Sequence, residues 1–229
     1  MTVYKILLLE LFHHKHPFPP FIPENATKLI VGTLPPPRFT KRKLREDDVD
    51  FCYGSGDGLL WKVLDRIFDL ELKFENTQEA VEQRKQFLRS RGLGICDVVE
   101  SSHREKIDAS DLGMQKVELR DMIGILRENP KVDTLLFTGG NSKNGPEYFF
   151  RRYLKEHEED IRMKLISKTS PRIHQFILDG RAIKTVSLVA PSGAANISIG
   201  SSQLYKELKK KNPEFNTLDF RVLQYKEFF

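Results

Sequence analysis

The residues best suited to chemistry in this chain gather in three short runs. Two share one layout, an apolar strand closing on a small Pro/Gly-rich turn: Lys28-Leu-Ile-Val-Gly-Thr-Leu-Pro-Pro-Pro37 and Ser187-Leu-Val-Ala-Pro-Ser-Gly-Ala-Ala-Asn196. The third is the glycine-rich patch Tyr53-Gly-Ser-Gly-Asp-Gly58. Two such turns can lie side by side at the carboxyl edge of a parallel sheet, where open α/β folds bind their ligands, so a site is expected between residues 32–58 and 190–201. Within that window Asp57 offers a carboxylate able to stabilise developing positive charge and to orient a water. Elsewhere, His103 offers an imidazole that donates a hydrogen bond or takes a proton near neutral pH.

Each of these has a plainer reading. Asp57 stands just before an apolar helical turn and suits a helix cap. A histidine in a polar stretch is usually just exposed, and Ser192 and Asn196 fit an ordinary turn, although Gly193 beside them permits close backbone approach. Gly54, Gly56 and Gly58 invite a phosphate-loop reading, but Leu59 stands where a dinucleotide fingerprint needs glycine, and no Gly-Lys-Ser/Thr follows. No Gly-x-Ser-x-Gly nucleophile elbow is present. A nucleobase pocket fits better: it needs a flat apolar face, groups that read a base edge, and donors that grip flanking phosphates. Pro35 and Pro36 with Asp57, Pro191-Ser-Gly193, and Tyr53 with Trp61 supply these types.

The elements that must position these residues follow from periodicity. Residues 28–32 read as a buried parallel strand, and residues 35–50 as a basic loop (Arg38, Lys41, Arg42, Lys43, Arg45), either touching phosphates or simply solvated. Leu60, Val63, Leu64, Ile67 and Phe68 recur at helical spacing, with Trp61 packed in the core. A second helix covers 78–91 and ends at Gly92. Residues 93–99 are short and apolar, 100–111 polar, 117–128 helical, and 132–137 a strand ending in Thr138-Gly-Gly140. A helix covers 146–158, and strands 172–178 and 182–189 join through Asp179-Gly180. Ser201 or Ser202 caps a helix running to Lys211, and 218–225 reads as a last strand. Strands alternating with helices make a three-layer α/β/α sandwich with a central, mainly parallel sheet the economical architecture.

With 229 residues, one domain over 1–229 is expected, with residues 1–27 as a lead-in. The run Ile6-Leu-Leu-Leu-Glu-Leu-Phe12 is too short to span a bilayer and lacks a small-residue cleavage site. Two cysteines, Cys52 and Cys96, fit no disulfide framework or metal spacing, so a reducing cytoplasm is expected. The cluster His13-His14-Lys-His16 lacks carboxylate or cysteine partners at workable spacing and reads as a surface or packing segment, and no metal is expected. A net charge of +5 favours a polyanionic partner if it is concentrated on one face.

Five runs taken in order then carry a resemblance: Gly32-Thr-Leu-Pro-Pro36, Tyr53-Gly-Ser-Gly-Asp-Gly-Leu-Leu-Trp-Lys62, Gly94-Ile-Cys-Asp-Val-Val-Glu-Ser-Ser-His-Arg104, Leu136-Phe-Thr-Gly139 and Ala190-Pro-Ser-Gly-Ala-Ala-Asn196. Over residues 16–212 the chain resembles the uracil-DNA glycosylase superfamily, nearest its mismatch-specific and hypoxanthine-DNA glycosylase branches. The resemblance implies an α/β/α fold that flips a damaged base from DNA and hydrolyses its N-glycosidic bond, as a monomer without metal or organic cofactor.

Carried over by motif, Gly32, Thr33, Leu34 and Pro35 belong to the loop that approaches the sugar and water. Pro191, Ser192, Gly193 and Asn196 belong to the loop that grips phosphate and probes the minor groove. Tyr53 or Phe39 stacks on the base, and Arg104 lies in a segment typical of the hypoxanthine branch. Two departures stand out, because Leu34 and Gly58 occupy the places where mismatch-type and hypoxanthine-type relatives carry a water-positioning Asn. Asp57 is the nearest substitute, with His103 as a possible second actor. Two alternatives remain at this stage: a nucleic-acid-binding relative that has lost catalysis, and a nucleotide or small-molecule hydrolase on a similar sheet.

Overall fold

Leu29, Ile30 and Val31 leave no polar side chain for either face of a strand, and the strand they form is buried on both. The computed structural model describes residues 11–158 and 160–229. In chain order its elements are β1 (Phe12–Lys15), β2 (Lys28–Val31), α1 (Pro37–Thr40), α2 (Leu60–Phe68), α3 (Gln78–Arg91), β3 (Leu93–Ile95), β4 (Val99–Arg104), β5 (Gln115–Leu119), α4 (Met122–Glu128), β6 (Thr134–Phe137), α5 (Pro146–His157), β7 (Lys164–Ser167), β8 (Arg172–Leu178), β9 (Arg181–Ser187), α6 (Asn196–Ser201), α7 (Gln203–Lys211) and α8 (Thr217–Tyr225).

The central sheet runs β3-β2-β6-β9-β8-β7. The pairs β2–β3, β2–β6 and β6–β9 are parallel, and β8 and β7 extend the sheet antiparallel. Alternation sorts its side chains to two faces. Leu29, Val31, Leu135 and Phe137 meet α4 and α5 through Met122, Leu126, Phe149 and Phe150, whereas Ile30 and Leu136 meet α2, α3 and α8 through Leu60, Leu64, Leu88 and Tyr225. The result is the expected α/β/α sandwich on a mostly parallel sheet. β8 and β9 join through Asp179 and Gly180, both at positive φ (49° and 82°), as the two-residue hairpin turn requires.

Two readings of local structure are corrected. Residues 117–128 are not one helix: Gln115-Lys-Val-Glu-Leu119 alternates and forms β5, and the Asp121 side chain then caps α4 by accepting the Gly124 N–H at 2.8 Å. Residues 218–225 are not a strand but helix α8, started by a capping box in which Asn216 and Asp219 bond reciprocally. The lead-in supplies a strand of its own: β1 pairs antiparallel with β4 in a second sheet, β1-β4-β5. His14 packs inside it and His16 lies buried just beyond. Residues 1–10, with most of the apolar run at 6–12, lie outside the described residues. Among the described residues no helix is long and apolar enough to cross a membrane.

Candidate functional site

In the parallel part of the sheet, Val31 lies opposite Phe137 and Phe137 opposite Ser187, so β2, β6 and β9 end together. The Gly32 turn and the turn after β9 therefore emerge at one carboxyl edge, two strand spacings or roughly 10 Å apart at their roots. The glycine-rich patch bridges them. Its Tyr53 reaches Gly32, and the Leu59 N–H donates to the Pro191 carbonyl at 3.0 Å.

Asp97, two residues past the end of β3, gathers this edge. Its Oδ1 accepts the Gly32 N–H at 2.7 Å and the Tyr53 hydroxyl at 2.9 Å, and its Oδ2 lies 2.9 Å from His16 Nε2. The Tyr53 oxygen is also 3.0 Å from Thr138 Oγ1. A Cβ on residue 32 would stand 2.2 Å from the Tyr53 hydroxyl, so glycine is required here by close approach. Tyr53 holds φ at 57°, a left-handed conformation that costs a bulky residue about 1 kcal/mol. Burial first, and the Asp97 charge next, push its hydroxyl well above the usual tyrosine range, so it remains a donor.

A second carboxyl faces the open space. Thr33 Oγ1 donates to Asp111 Oδ1 at 2.8 Å, and Asn144 Nδ2 donates to the Asp111 carbonyl at 2.8 Å. Burial raises the Asp111 carboxyl to about 6, against the opposing pull of the Thr33 bond and the Arg104 charge. Asp111 lines a cleft of about 560 Å³ together with Thr138, Gly139, Ser187, Ser192 and Ser198, and Lys168 and Arg172 bring cations to it. The far wall is anchored from α8: Arg221 donates from Nε to the Ala190 carbonyl at 3.0 Å and from Nη2 to that of Ser192 at 2.7 Å, and Tyr225 donates to the Val189 carbonyl at 2.6 Å.

Of the residues singled out in the sequence, Gly32, Thr33, Tyr53, Pro191 and Ser192 come together at this edge. Gly193 sits beside them with open space where a Cβ would project, and Asn196, exposed, begins α6. Leu34 packs against the core on the α4/α5 side and Pro35 is half-buried.

The remaining candidates are used otherwise. Phe39 is fully buried with its ring edge-on to Phe18 and has no face to offer a base. Arg104 is 1% exposed, donating to His14 Nδ1 at 2.8 Å and to the Ser110 carbonyl, so it is a structural cation and not a ligand contact. His103 stacks on His13 with ring centroids 5.1 Å apart and does not line the cleft. Asp57 does not cap α2, whose N-cap is Leu59; its side chain, 67% exposed, pairs with Arg45 at 3.0 Å and Arg38 at 3.4 Å. Those pairs, with Arg38–Asp48 at 2.7 Å and Arg42–Asp50 at 2.6 Å, consume most of the basic loop's charge internally. Trp61 is core, its Nε1 donating to the Cys52 carbonyl at 2.9 Å.

The sequence reading missed Asp97, His16, Thr138, Asp111, Lys168 and Arg172. Thr138 directly follows an apolar strand and Asp97 lies two residues past one, positions that carry signal in an open α/β sheet. The others are assembled by tertiary structure alone.

No protein-family model matches the chain, and no curated protein matches it. Among solved structures, the fold is similar to the solution NMR structure of a candidate uracil DNA glycosylase from Methanosarcina acetivorans, with a TM-score of 0.51 and 17% identity, covering 91% of this chain and 98% of that one. What the two chains share is the fold, a mostly parallel sheet between layers of helices.

Proposed function

We propose that the chain is a base-excising DNA glycosylase that hydrolyses the N-glycosidic bond of a deaminated or mismatched base flipped out of DNA. The observation that carries this reading is the Thr33–Asp111 hydrogen bond of 2.8 Å, which holds a carboxyl in the cleft where the two strand-end turns meet. As the bond between the sugar carbon and the base nitrogen breaks, its electron pair leaves with the base and positive charge builds on the sugar. The Asp111 carboxylate stabilises that charge, and the water that adds to the sugar carbon passes its proton to the same group.

Asp111 takes over the role expected of Asp57, whose charge is spent on Arg38 and Arg45. Lys168 and Arg172 are the phosphate contacts, with the Gly193 turn allowing the backbone to approach. Ile197, 85% exposed on α6 next to that turn, is an apolar wedge suited to the gap a flipped base leaves in the stack. The likeness of fold supports the reaction class. Two buried free thiols, Cys52 and Cys96, suit a reducing compartment such as the cytoplasm.

One observation favours a second reading, a nucleic-acid-binding protein without catalysis. Leu34 is half-buried against the core and Gly58 has no side chain, so neither positions water as an Asn would. Duplexes carrying uracil, hypoxanthine or a thymine mismatch, incubated with the protein and then treated with alkali, separate the two. The glycosylase reading expects strand breaks by the wild type, a loss of about 100-fold in Asp111→Asn and little change in Asp57→Asn. Its rate rises with pH through about 6, as the Asp111 carboxyl ionises. Tight duplex binding with no abasic product from any substrate favours the binder.

A further inference from the structure

The central sheet ends at β7, and among the described residues no strand pairs with its outer edge. An open edge presents unpaired backbone N–H and C=O groups, which proteins ordinarily shield. Here Leu165 and Ile166 are 39% and 56% exposed along it. Directly before β7, Ile161, Arg162 and Met163 face Arg151, Leu154 and Lys155 of α5 across a cleft of about 440 Å³. Leu154, Ile161 and Met163 make its apolar lining, and no residue is shared with the Asp111 cleft.

The charge at this end is one-sided. Among the described residues Lys155, Arg162 and Lys164 make no ion pair, while the neighbouring acids Glu156 and Glu158 are taken up by Arg152 and Arg127. Among the described residues, Asp160 is a further exposed acid beside them. An open strand edge, exposed aliphatic side chains, an apolar cleft in line with the edge and unpaired cations together define what fits. We propose that β7 is a docking edge for an extended acidic segment of a partner protein, which adds as a seventh strand. An apolar side chain of that segment sits among Leu154, Ile161 and Met163, and its carboxylates meet Lys155, Arg162 and Lys164.

A second copy of this chain fits less well, because a two-fold pairing of β7 with itself lays two segments side by side that each carry Arg162, Lys164 and Lys168 and no acid over residues 161–169. A nucleic acid answers the cations but has no backbone ladder to offer β7 and no use for Leu165 and Ile166. The proposal is independent of the glycosylase reading.

The test uses the full chain and a short fluorescein-labelled peptide of alternating Glu and Val, followed by anisotropy and by hydrogen exchange at residues 164–167. Saturable binding is expected, with slowed exchange in β7 and a loss of at least about tenfold in affinity for Arg162→Glu combined with Lys164→Glu, whose thermal midpoint stays near that of the wild type. A peptide of alternating Glu and Pro has the same charge but too few backbone donors to join the sheet, and should bind at least about tenfold more weakly. Equal binding of the two peptides, or unchanged exchange in β7, overturns the proposal. So does a single-stranded oligonucleotide that displaces the peptide and is itself lost in the double variant, or a dimer of the chain alone with β7 already protected.

Discussion

Arg221 donates from Nη2 to the Ser192 carbonyl over 2.7 Å, and the guanidinium that does so is fully buried in α8. The turn over the cleft is thus held from behind by a charged fork that also reaches the Ala190 carbonyl, while Gln224 accepts the Val189 N–H at 2.8 Å.

Arg221→Lys keeps the charge but has no planar fork to span two carbonyls. We expect it to cost about 2 kcal/mol of unfolding free energy in urea titrations, since at least one buried carbonyl loses a charged donor. The specific signature is faster hydrogen exchange in residues 189–193 with the rest of the sheet unaffected. Uniform loss of protection across all strands would refute a local role.

A second prediction concerns Gly32. Adding a methyl there drives a Cβ to 2.2 Å from the Tyr53 hydroxyl, and overpacking of this kind costs about 1 to 3 kcal/mol. Tyr53→Phe alone removes the bond to Asp97 and costs about 1 kcal/mol. Because the clash is with the hydroxyl itself, Gly32→Ala combined with Tyr53→Phe should be less destabilised than the sum of the two. Strict additivity in the double-mutant cycle would show that the two residues do not meet.

How far these contacts were legible in the sequence depends on their range. The β2 strand, the α3 helix with its Gly92 end and the β8–β9 hairpin were readable because apolar period and turn residues agree locally, and both turns at residues 32 and 193 emerged at one sheet edge as their shared layout implied. Residues 218–225 misled because Leu218, Phe220 and Val222 alternate with Asp219 and Arg221 like a strand, although Asn216 and Asp219 spell a capping box three residues apart. The polar–apolar alternation of residues 115–119 was equally present and was overridden by the helical run after it. His16 and Asp97 are 81 residues apart, and nothing local to either announces the other. Asp111 lies in a polar, mostly exposed stretch, and its partners Thr33 and Asn144 are 78 and 33 residues away.

The cleft cations give a third prediction. Lys168 and Arg172 are exposed and unpaired in ion pairs among the described residues, unlike the Arg38, Arg42 and Arg45 group, which is tied to Asp48, Asp50 and Asp57. Replacing either Lys168 or Arg172 with Ala should reduce the slope of log affinity for duplex DNA against log salt by about one, the effect of one lost phosphate contact. Arg42→Ala should leave that slope within error. The reverse ranking would move the nucleic-acid face to the 38–45 loop.

Acid stability gives the last, because a buried group and a half-buried one near the cleft act in opposite senses. Burial and the Arg104 charge hold the His14 imidazole down at about 4, against an ordinary 6.5. The folded chain therefore takes up this proton less readily than the unfolded one, and His14 makes stability fall as pH drops from 6.5 toward 4. Asp111 is held up at about 6 against an ordinary 3.8, so the folded chain takes up its proton more readily and stability rises as pH drops through 6 toward 3.8. Each shift is worth about 3 kcal/mol, so the two largely offset one another between pH 4 and 6. Asp111→Asn removes only the second. Compared with the wild type in urea titrations, this variant should lose stability on acidification by about 3 kcal/mol more across that interval, and gain relative to the wild type near neutral pH, where the half-buried carboxylate is ionised at a cost. Parallel pH profiles for the two proteins would mean that Asp111 titrates as an ordinary surface acid and cannot supply the poised carboxylate the cleft requires.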